Sequence, residues 1–222
     1  MEPLDLQSLD LNFKVMRASQ LGYCARFIAL GIYGIYSISS TPETFLGNLL
    51  HHQVEAKLRE RGYEVEVSFF NEELRLEGTV DAIGGGRIIE IKTTAYPKEF
   101  FNRGERFRKL LYQLGGYSLL TGLELADVYV IAVPKLRELK FRGVQVIGNE
   151  ELRLNMMQIS IDKVLRERVR DKILRIWDFI DRGELPPKSD NCGFCPFREI
   201  CEDEKELREV IGLREGQLQL WR

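Results

Sequence analysis

The sequence predicts an α/β fold in which strands and helices alternate along the chain. Segments of alternating apolar and polar residues, typical of strands, recur between longer segments whose apolar residues follow a helical period. Helices and strands that alternate in this way pack as layers around one sheet. The predicted order is a helix over 41–61, strands over 63–70, 74–83 and 87–93, a helix over 104–121, strands over 126–133 and 139–147, and a helix over 160–182.

The composition is that of a globular protein with enough apolar material for a core. The chain has 222 residues, of which 44% are hydrophobic and 30% are charged. No apolar run approaches the ~20 residues that a membrane span needs, and the acidic N-terminus does not resemble a signal peptide. We therefore expect a cytoplasmic protein with no membrane partner. The net charge of −2 excludes a bulk polycation, so nucleic acid would have to bind to a local basic surface.

The first predicted helix carries a histidine that is a candidate ligand. Pro42 suits the first position of this helix. Gly47, His51 and Glu55 follow at intervals of four residues and therefore share one face, whereas His52 is rotated away by about 100°. A histidine on a surface helix is often only a solvated side chain. His51 remains a candidate because the helix leads directly into the predicted strands.

The strands over 74–83 and 87–93 form a predicted hairpin, since three consecutive glycines separate them. Side chains alternate along a strand, so Glu90 and Lys92 point the same way. The short turn brings Asp81 beside Glu90. Burial of two unpaired carboxylates would cost several kcal/mol, which favours a cation held by Asp81 and Glu90. The alternative is a surface ion pair between Glu90 and Lys92.

Two segments could supply a basic surface for nucleic acid. Residues 96–109 interleave basic and aromatic side chains, which can bind phosphates and stack on unpaired bases. The helix over 160–182 carries a row of basic residues opposite its apolar face. In each case a solvated helix surface is the alternative. Between these segments, the helix over 104–121 places Gln113 and Tyr117 on one face, because they lie four residues apart.

Four cysteines indicate a metal site. Cys192, Cys195 and Cys201 form a C-x₂-C-x₅-C pattern, and neighbouring thiolates repel one another unless a cation lies between them. Cys24 is the one further cysteine and hence the candidate fourth ligand. Zinc sites normally take their cysteines in pairs, whereas one early and three late cysteines favour an iron–sulfur cluster that joins the two ends of the chain. Zinc remains the alternative.

These residues together resemble those of known nucleases. An aspartate followed on the next strand by Glu-x-Lys resembles the core of the PD-(D/E)xK nucleases, although Val80 stands in place of the proline. The RecB-like nucleases carry the following set in this order and spacing: Gly47-x₃-His51, Asp81, Glu90-x-Lys92 and Gln113-x₃-Tyr117. The split cysteine set resembles the iron–sulfur nuclease domains of the AddB type. From Tyr23 to Cys201 the chain resembles the CRISPR-associated protein 4 family.

The resemblance implies a restriction-endonuclease-like PD-(D/E)xK core, with a mixed central sheet flanked by helices. An iron–sulfur region would join the N-terminal and C-terminal parts. Residues 1–40 would form a helical segment that contributes one cluster cysteine. Residues 41–182 would form the RecB-like nuclease core, and residues 183–222 the cysteine-rich segment and an acidic tail.

The resemblance also implies roles for single residues. The groups expected to bind the catalytic Mg²⁺ or Mn²⁺ are His51, Asp81, Glu90 and the carbonyl of Ile91. Lys92 would be the catalytic lysine, and Gln113 and Tyr117 would position DNA near the scissile phosphate. The expected cluster ligands are Cys24, Cys192, Cys195 and Cys201, with 4Fe–4S favoured and 2Fe–2S open. Ala25 replaces a proline common in the family, which leaves ligation by Cys24 intact.

The implied function is a metal-dependent DNA exonuclease, with endonuclease activity as a further option. It would act on single-stranded DNA or overhangs during the acquisition of CRISPR spacers, in antiviral defence. The implied partners are single-stranded or partly duplex DNA and the CRISPR integrase proteins. One alternative is a non-catalytic DNA-binding scaffold subunit of the adaptation complex or of a DNA repair complex. Another is a redox or zinc-binding interaction module in which the hairpin carboxylates are incidental.

Overall fold

The computed structural model describes most of the chain, and the elements lie within the described ranges. The described residues are 14–35, 42–94 (42–46 by their backbone alone), 102, 104–132, 154–189, 192, 195–203, 205, 207–209, 211 and 212. The strands are β1 (Met16–Arg17), β2 (Glu64–Asn71), β3 (Leu76–Gly84), β4 (Arg87–Thr94), β5 (Leu125–Ala132) and β6 (Leu154–Ser160). The helices are α1 (Ala25–Ile32), α2 (Pro42–Glu60), α3 (Glu105–Thr121), α4 (Lys163–Asp181) and α5 (Arg198–Glu202).

Within the described ranges, six strands form one mixed sheet in the order β1-β3-β4-β5-β6, with β2 also paired to β3. β3 runs antiparallel to β2 and β4, β4 runs parallel to β5, and β5 runs antiparallel to β6. β2 pairs along the length of β3. The opposite edge of β3 is shared, because β4 pairs with its end (Ala82–Gly84) and β1 with its first two residues.

Helices cover both faces of the sheet, which confirms the predicted fold class. On one face, Leu58 of α2 packs on Ala82, Ile89 and Ile131 of the sheet. On the other face, α1, α3 and α4 bury a larger apolar cluster against the strands. The largest fully buried side chains contributed by these three helices are Ile28, Leu30, Leu110, Leu114, Ile173 and Ile176. In the described part of the chain, no helix is both long and apolar enough to cross a bilayer.

The hairpin turn follows from its glycines. Gly85 and Gly86 have φ of 57° and 70°, values that side-chain-bearing residues rarely adopt and that a type I′ turn requires at both central positions. The turn fixes the register, in which Gly84 pairs with Arg87 and Ala82 pairs with Ile89. The predicted hairpin is therefore confirmed.

The segment before α4 differs from the sequence prediction. Residues 154–160 form β6, which the sequence analysis did not predict, and the helix begins at Lys163. The side chain of Asp162 accepts the backbone N–H of Leu165 at 2.7 Å, so Asp162 caps the helix and the chain before it is extended. Val164, an apolar residue of this helix, is 60% exposed. The predicted strand over 139–147 lies outside the described residues.

The side chains of β2 and β3 switch from one face of the sheet to the other at one irregular position. Val80 belongs to the core cluster beneath α3, whereas Ala82 belongs to the cluster beneath α2. In a regular strand, residues two apart share a face. The change coincides with Glu66, whose φ of 53° is left-handed and costs a non-glycine residue about 1–2 kcal/mol. The register is the same on both sides of this step, and the residue of β3 at the step is Asp81.

Candidate active site

α2 delivers His51 to the sheet because Gly47 allows the helix to approach closely. A Cβ atom added at Gly47 would lie 2.7 Å from Thr93 Oγ1 of β4, a separation that real Cβ atoms do not tolerate. One turn further along the helix, His51 Nε2 lies 3.1 Å from Asp81 Oδ2. The close contact between α2 and β4 therefore sets the distance between the histidine and the hairpin.

Asp81 lies where β3 and β4 separate. The backbone pairing of the two strands extends only from Gly84 to Ala82. Beyond that point, the Asp81 side chain takes the place of a backbone carbonyl of β3 as hydrogen-bond acceptor. Its Oδ2 accepts the N–H of Ile91 at 2.6 Å. The carboxylate is thereby held between β4 and His51. The sequence analysis predicted that Asp81 lies beside Glu90, whereas in the structure its carboxylate contacts β4 at the next residue, through the backbone N–H of Ile91.

Glu90 and Lys92 lie on the α3 side of β4 and join the two predicted residues of that helix. Lys92 Nζ lies 2.6 Å from Glu90 Oε1 and donates to Gln113 Oε1 at 2.9 Å. Gln113 Nε2 donates to Glu90 Oε1 at 3.0 Å and to the Tyr117 hydroxyl at 2.9 Å. Glu90, Gln113 and Tyr117 are all more than nine-tenths buried. The structure therefore gathers all four of these predicted residues into one hydrogen-bonded network.

The electrostatics of the network follow from burial and from charge pairs. Burial raises the pKa of Glu90 to about 7, although the Lys92 charge opposes this change. Burial alone would lower the pKa of Lys92, but the Glu90 carboxylate more than offsets it, so that pKa is raised. The hydrogen bond to Asp81 raises the pKa of His51 against the effect of burial. Each charged side chain of the centre is therefore stabilised by a neighbour of opposite charge.

Two observations show that a cation fits this centre. Glu90 Oε2 is buried and has no hydrogen-bond partner among the described residues, so a charged oxygen is left for an external ligand. Ligand atoms of His51, Glu55 and Asp81 lie within 4.8 Å of one another. Nitrogen and carboxylate ligands of this kind suit a divalent metal. Glu90 does not belong to this compact group, and its Oε1 contacts Lys92 and Gln113 instead.

Glu55 is a residue of the site that sequence reasoning did not assign. It is 4% exposed, and its two oxygens lie 2.8 Å from His51 Nδ1 and 3.0 Å from His52 Nδ1. A second group of potential ligands, on the more exposed side, consists of His52, Glu55 and Glu66. The spacing of four residues placed Glu55 on the face of His51, but the burial of Glu55 depends on the sheet beneath it.

Three of the four cysteines line one hollow, and the described cysteines do not form a compact ligand group. A cavity of about 420 Å³ is lined by Cys24, Cys192 and Cys195. Burial raises the pKa of the Cys201 thiol, the charge of Arg26 opposes this change, and the other three thiols raise it further. Tetrahedral zinc would bring sulfurs to about 3.8 Å from one another, and the described cysteines include no group of three within 4.8 Å.

Three of the basic residues of α4 are engaged within the protein. Arg166 and Arg170 each form an ion pair with a glutamate of a neighbouring segment. Lys172 Nζ donates to the backbone carbonyls of Leu21 and Tyr23 at 2.7 and 2.6 Å. These contacts favour the structural alternative for this helix over a stripe for the DNA backbone. In the other basic segment, residues 95–101 and 103 lie outside the described part.

The fold and the site together define a class of protein. An α/β sheet whose hairpin presents two carboxylates and a lysine, with a histidine from an adjacent helix, is suited to metal-assisted phosphodiester hydrolysis. The PD-(D/E)XK nuclease superfamily model matches residues 37–202. Because this match covers most of the chain, the protein belongs to the PD-(D/E)XK nuclease superfamily, whose members use divalent metals.

Solved structures of similar fold include exonucleases. A phage-related exonuclease from Haemophilus somnus 129PT has a TM-score of 0.60 and 17% identity, over 76% of this chain and 94% of its own. The alkaline exonuclease LHK-Exo of Laribacter hongkongensis, in complex with dAMP, has a TM-score of 0.57 and 14% identity, over 78% and 90%. The protein SSO0001 has a TM-score of 0.54 and 20% identity, over 86% of both chains. These similarities concern the fold. No curated protein matches the chain significantly.

Proposed function

We propose that this protein is a divalent-metal-dependent DNA exonuclease that acts on single-stranded DNA or on single-stranded overhangs. The observation that carries the proposal is the buried Glu90 carboxylate. One of its oxygens is held by Lys92 and Gln113, and the other lacks a partner among the described residues. A buried carboxylate in this state is costly, and a metal ion would compensate for that cost.

The proposed metal ligands are His51, Asp81 and Glu90, with the carbonyl of Ile91. When bound, Mg²⁺ or Mn²⁺ would lower the pKa of a water molecule and polarise the scissile phosphate. The Ile91 N–H keeps the Asp81 carboxylate in the plane of the sheet. Its fixed position makes the site preorganised, which favours charge stabilisation in the transition state.

Lys92 is the proposed catalytic lysine. Its ammonium group has three N–H donors and no acceptor, and two of these donors point to Glu90 and Gln113. The third remains for the attacking water or for a phosphate oxygen, where it would stabilise the developing negative charge. Gln113 and Tyr117 are the proposed DNA-positioning residues, and their contacts indicate that they would act by fixing Glu90 and Lys92.

The substrate and partner proposals rest on similarity. Two of the similar structures are of exonucleases, and one of these contains dAMP, a product of exonucleolytic cleavage of DNA. The order of the site residues and the split cysteine set resemble the CRISPR-associated protein 4 family. We therefore propose a role in the processing of new CRISPR spacers, with the integrase proteins as partners.

An iron–sulfur cluster is the proposed second cofactor. The four thiols belong to one early and one late part of the chain, and three of them line one hollow. In a 4Fe–4S cluster each thiolate binds a different iron atom, so its ligands need not converge as closely as those of a single zinc ion. The separation of the sulfurs therefore favours 4Fe–4S over zinc.

The proposal is tested by cleavage of end-labelled single-stranded DNA with Mg²⁺ or Mn²⁺, and with a chelator as control. Asp81→Asn and Lys92→Met keep the size of the side chains and remove their charge. Loss of one such group from a metal-assisted site lowers turnover by roughly 10²–10⁴-fold. We expect wild type to degrade DNA and both variants to fail.

Asp127→Asn is the matched control, because Asp127 is also a buried carboxylate of the sheet, but it pairs with Arg87 outside the site. This variant should keep its cleavage rate even if its melting temperature falls. Folded wild type that is inert with both metals would contradict the proposal and would favour a non-catalytic DNA-binding subunit. Equal cleavage by Asp81→Asn and wild type would also contradict it.

A further inference from the structure

We propose that Glu55 is a positioning residue that holds His51 in the one tautomer able to bind the catalytic metal. The inference rests on the proposed metal-dependent function and extends it to a residue with no assigned role. Glu55 lies one helical turn after His51 on α2, and its carboxylate is 2.8 Å from His51 Nδ1. A ligating histidine commonly donates its second ring N–H to a carboxylate, which fixes the ring and its tautomer.

The His51 ring lies between two carboxylates. Its Nδ1 faces Glu55 at 2.8 Å, and its Nε2 faces Asp81 at 3.1 Å. A neutral imidazole has one N–H and one lone pair. If the proton is on Nδ1, Glu55 accepts it and the lone pair on Nε2 points to the proposed metal site. If the proton is on Nε2, it is donated to Asp81 and the lone pair points away from the metal site.

The environment of Glu55 favours the first tautomer. Glu55 is 4% exposed, and a hydrogen bond to a carboxylate is stronger where solvent is excluded. The Asp81 side chain is more exposed, at 16%, and its distance to the ring is longer. Asp81 Oδ2 also accepts the Ile91 N–H at 2.6 Å. Glu55 is therefore the better acceptor for the single proton of the ring.

Glu55 itself is oriented by the second histidine. Its other oxygen lies 3.0 Å from Nδ1 of His52. Both carboxylate oxygens are thereby engaged by imidazole nitrogens, on the side of the His51 ring opposite to Asp81. This orientation assigns Glu55 a role behind the ligand, rather than a place among the atoms that touch the metal.

The first experiment reads the tautomer of His51 directly. The protein has only two histidines, so ¹⁵N NMR of the imidazoles gives two sets of signals, which a His52→Gln variant assigns. The metal-free protein is measured at about pH 9, well above the ordinary histidine pKa of about 6.5. We expect the Nδ1–H tautomer in wild type and the Nε2–H tautomer in Glu55→Leu. The same tautomer in both proteins would overturn the inference.

The second experiment measures Mn²⁺ binding by electron paramagnetic resonance. We expect the dissociation constant to rise about 10–100-fold in Glu55→Leu, as is usual when the partner of a ligating histidine is lost. Glu55→Gln keeps an amide oxygen as acceptor and should lose less. Glu60→Gln is the matched control, because Glu60 is a carboxylate of the same helix, lies nine residues after His51 and pairs with Lys57. Its affinity should stay within about twofold of wild type.

The outcomes separate this inference from the proposed function. Wild type and Glu55→Leu that bind Mn²⁺ equally well would overturn the inference and leave the nuclease proposal intact. Equal losses in Glu55→Leu and Glu60→Gln would also overturn it, since the effect would then come from the net negative charge of the helix rather than from the contact with His51. Wild type that binds no Mn²⁺ would overturn both.

Discussion

At the level of single residues, Glu90 shows how the site keeps a charge in a buried position. Its Oε1 is balanced by the Lys92 ammonium and the Gln113 amide, so the cost of removing that oxygen from water is offset. Its Oε2 has no such balance among the described residues. A group that is satisfied on one side only is a typical feature of a binding centre, because the ligand supplies the missing interaction.

Lys172 gives a prediction about pH dependence. Burial lowers its pKa to about 8, below the ordinary lysine value of about 10.4. Between these values the unfolded chain carries a proton on Lys172 that the folded protein has lost. Stability rises with pH wherever the unfolded state binds more protons. The free energy of unfolding of wild type, minus that of Lys172→Met, should therefore rise from about pH 8 to about pH 10.

Urea unfolding of both proteins across this pH range checks the prediction. Lys163→Met provides the control, since Lys163 is on the same helix with a side chain that is 81% exposed. The corresponding difference for Lys163 should be flat. A flat or falling difference for Lys172 would show that the two backbone carbonyls which it contacts keep it charged.

The sequence predicts which residues form the site better than it predicts their contacts. Strand alternation places Glu90 and Lys92 together, and helical spacing places His51 and Glu55 on one face, because both periodicities are local. The hydrogen bond from the Ile91 N–H to Asp81 is not local. It requires β3 and β4 to separate beyond Ala82, which depends on how the rest of the sheet packs.

At the level of secondary structure elements, the contact between α2 and β4 controls the geometry of the site. Gly47→Ala should push the helix away from Thr93 Oγ1. Overpacking of this kind costs about 1–3 kcal/mol, and we expect Mn²⁺ affinity to fall because His51 moves with the helix. Thermal unfolding and Mn²⁺ titration measure the two effects.

A double variant tests whether the contact with Thr93 is the cause, since alanine by itself favours the helix more than glycine does. The Cβ of an alanine at 47 would lie 3.6 Å from Thr93 Cβ, an ordinary contact, once the hydroxyl is removed. Gly47→Ala combined with Thr93→Ala should therefore recover most of the lost stability, as coupled neighbours do in a double-mutant cycle. Strictly additive effects would contradict the proposed packing constraint.

The elements that the sequence analysis missed have weak local signals. β6 contains two methionines and an asparagine, residues with no strong strand preference, and it is a strand because its backbone pairs with β5. The change of faces at Glu66 is also invisible in the sequence, because nothing in a glutamate predicts left-handed φ. By contrast, the glycine turn and the Asp162 cap are local features that specify their structure directly.

At the level of the whole molecule, hydrogen bonds of Arg26 and Lys172 join an early and a late part of the described chain. Arg26 Nε donates to the carbonyl of Pro186 at 2.7 Å. Lys172 Nζ donates to the carbonyls of Leu21 and Tyr23. Both contacts fix the loop around Cys24 against the C-terminal half. The hollow lined by cysteines is thus part of the folded body of the protein.

This arrangement predicts that Cys24→Ala destabilises the protein more than Asp81→Ala. A cluster that joins the two ends would close a loop of more than a hundred residues, and a cross-link of that span contributes about 4–5 kcal/mol in chain-entropy terms. We expect Cys24→Ala to lower the melting temperature by roughly 8–20 °C. Asp81→Ala should lower it less, because it also relieves repulsion from Glu55 and Glu90.

Anaerobic purification, iron analysis and thermal unfolding of the two variants check this prediction. Cys24→Ala should lose iron, whereas Asp81→Ala should retain it. Equal melting temperatures would contradict the idea that a cluster joins the ends of the chain. Zinc in place of iron would contradict the proposed cofactor.

The hydrogen bond between Arg26 and Pro186 also has a consequence for the order in which parts of the chain can fold during synthesis. The two residues are separated by 160 positions, which corresponds to about 8–32 s of synthesis at the usual elongation rates. During this interval the N-terminal segment with Cys24 has emerged without the partners that later enclose it. The hairpin and α3, whose contacts span far fewer residues, can form first. Insertion of the proposed cluster would therefore have to wait for the last cysteine, and until then the Cys24 thiol would be open to oxidation.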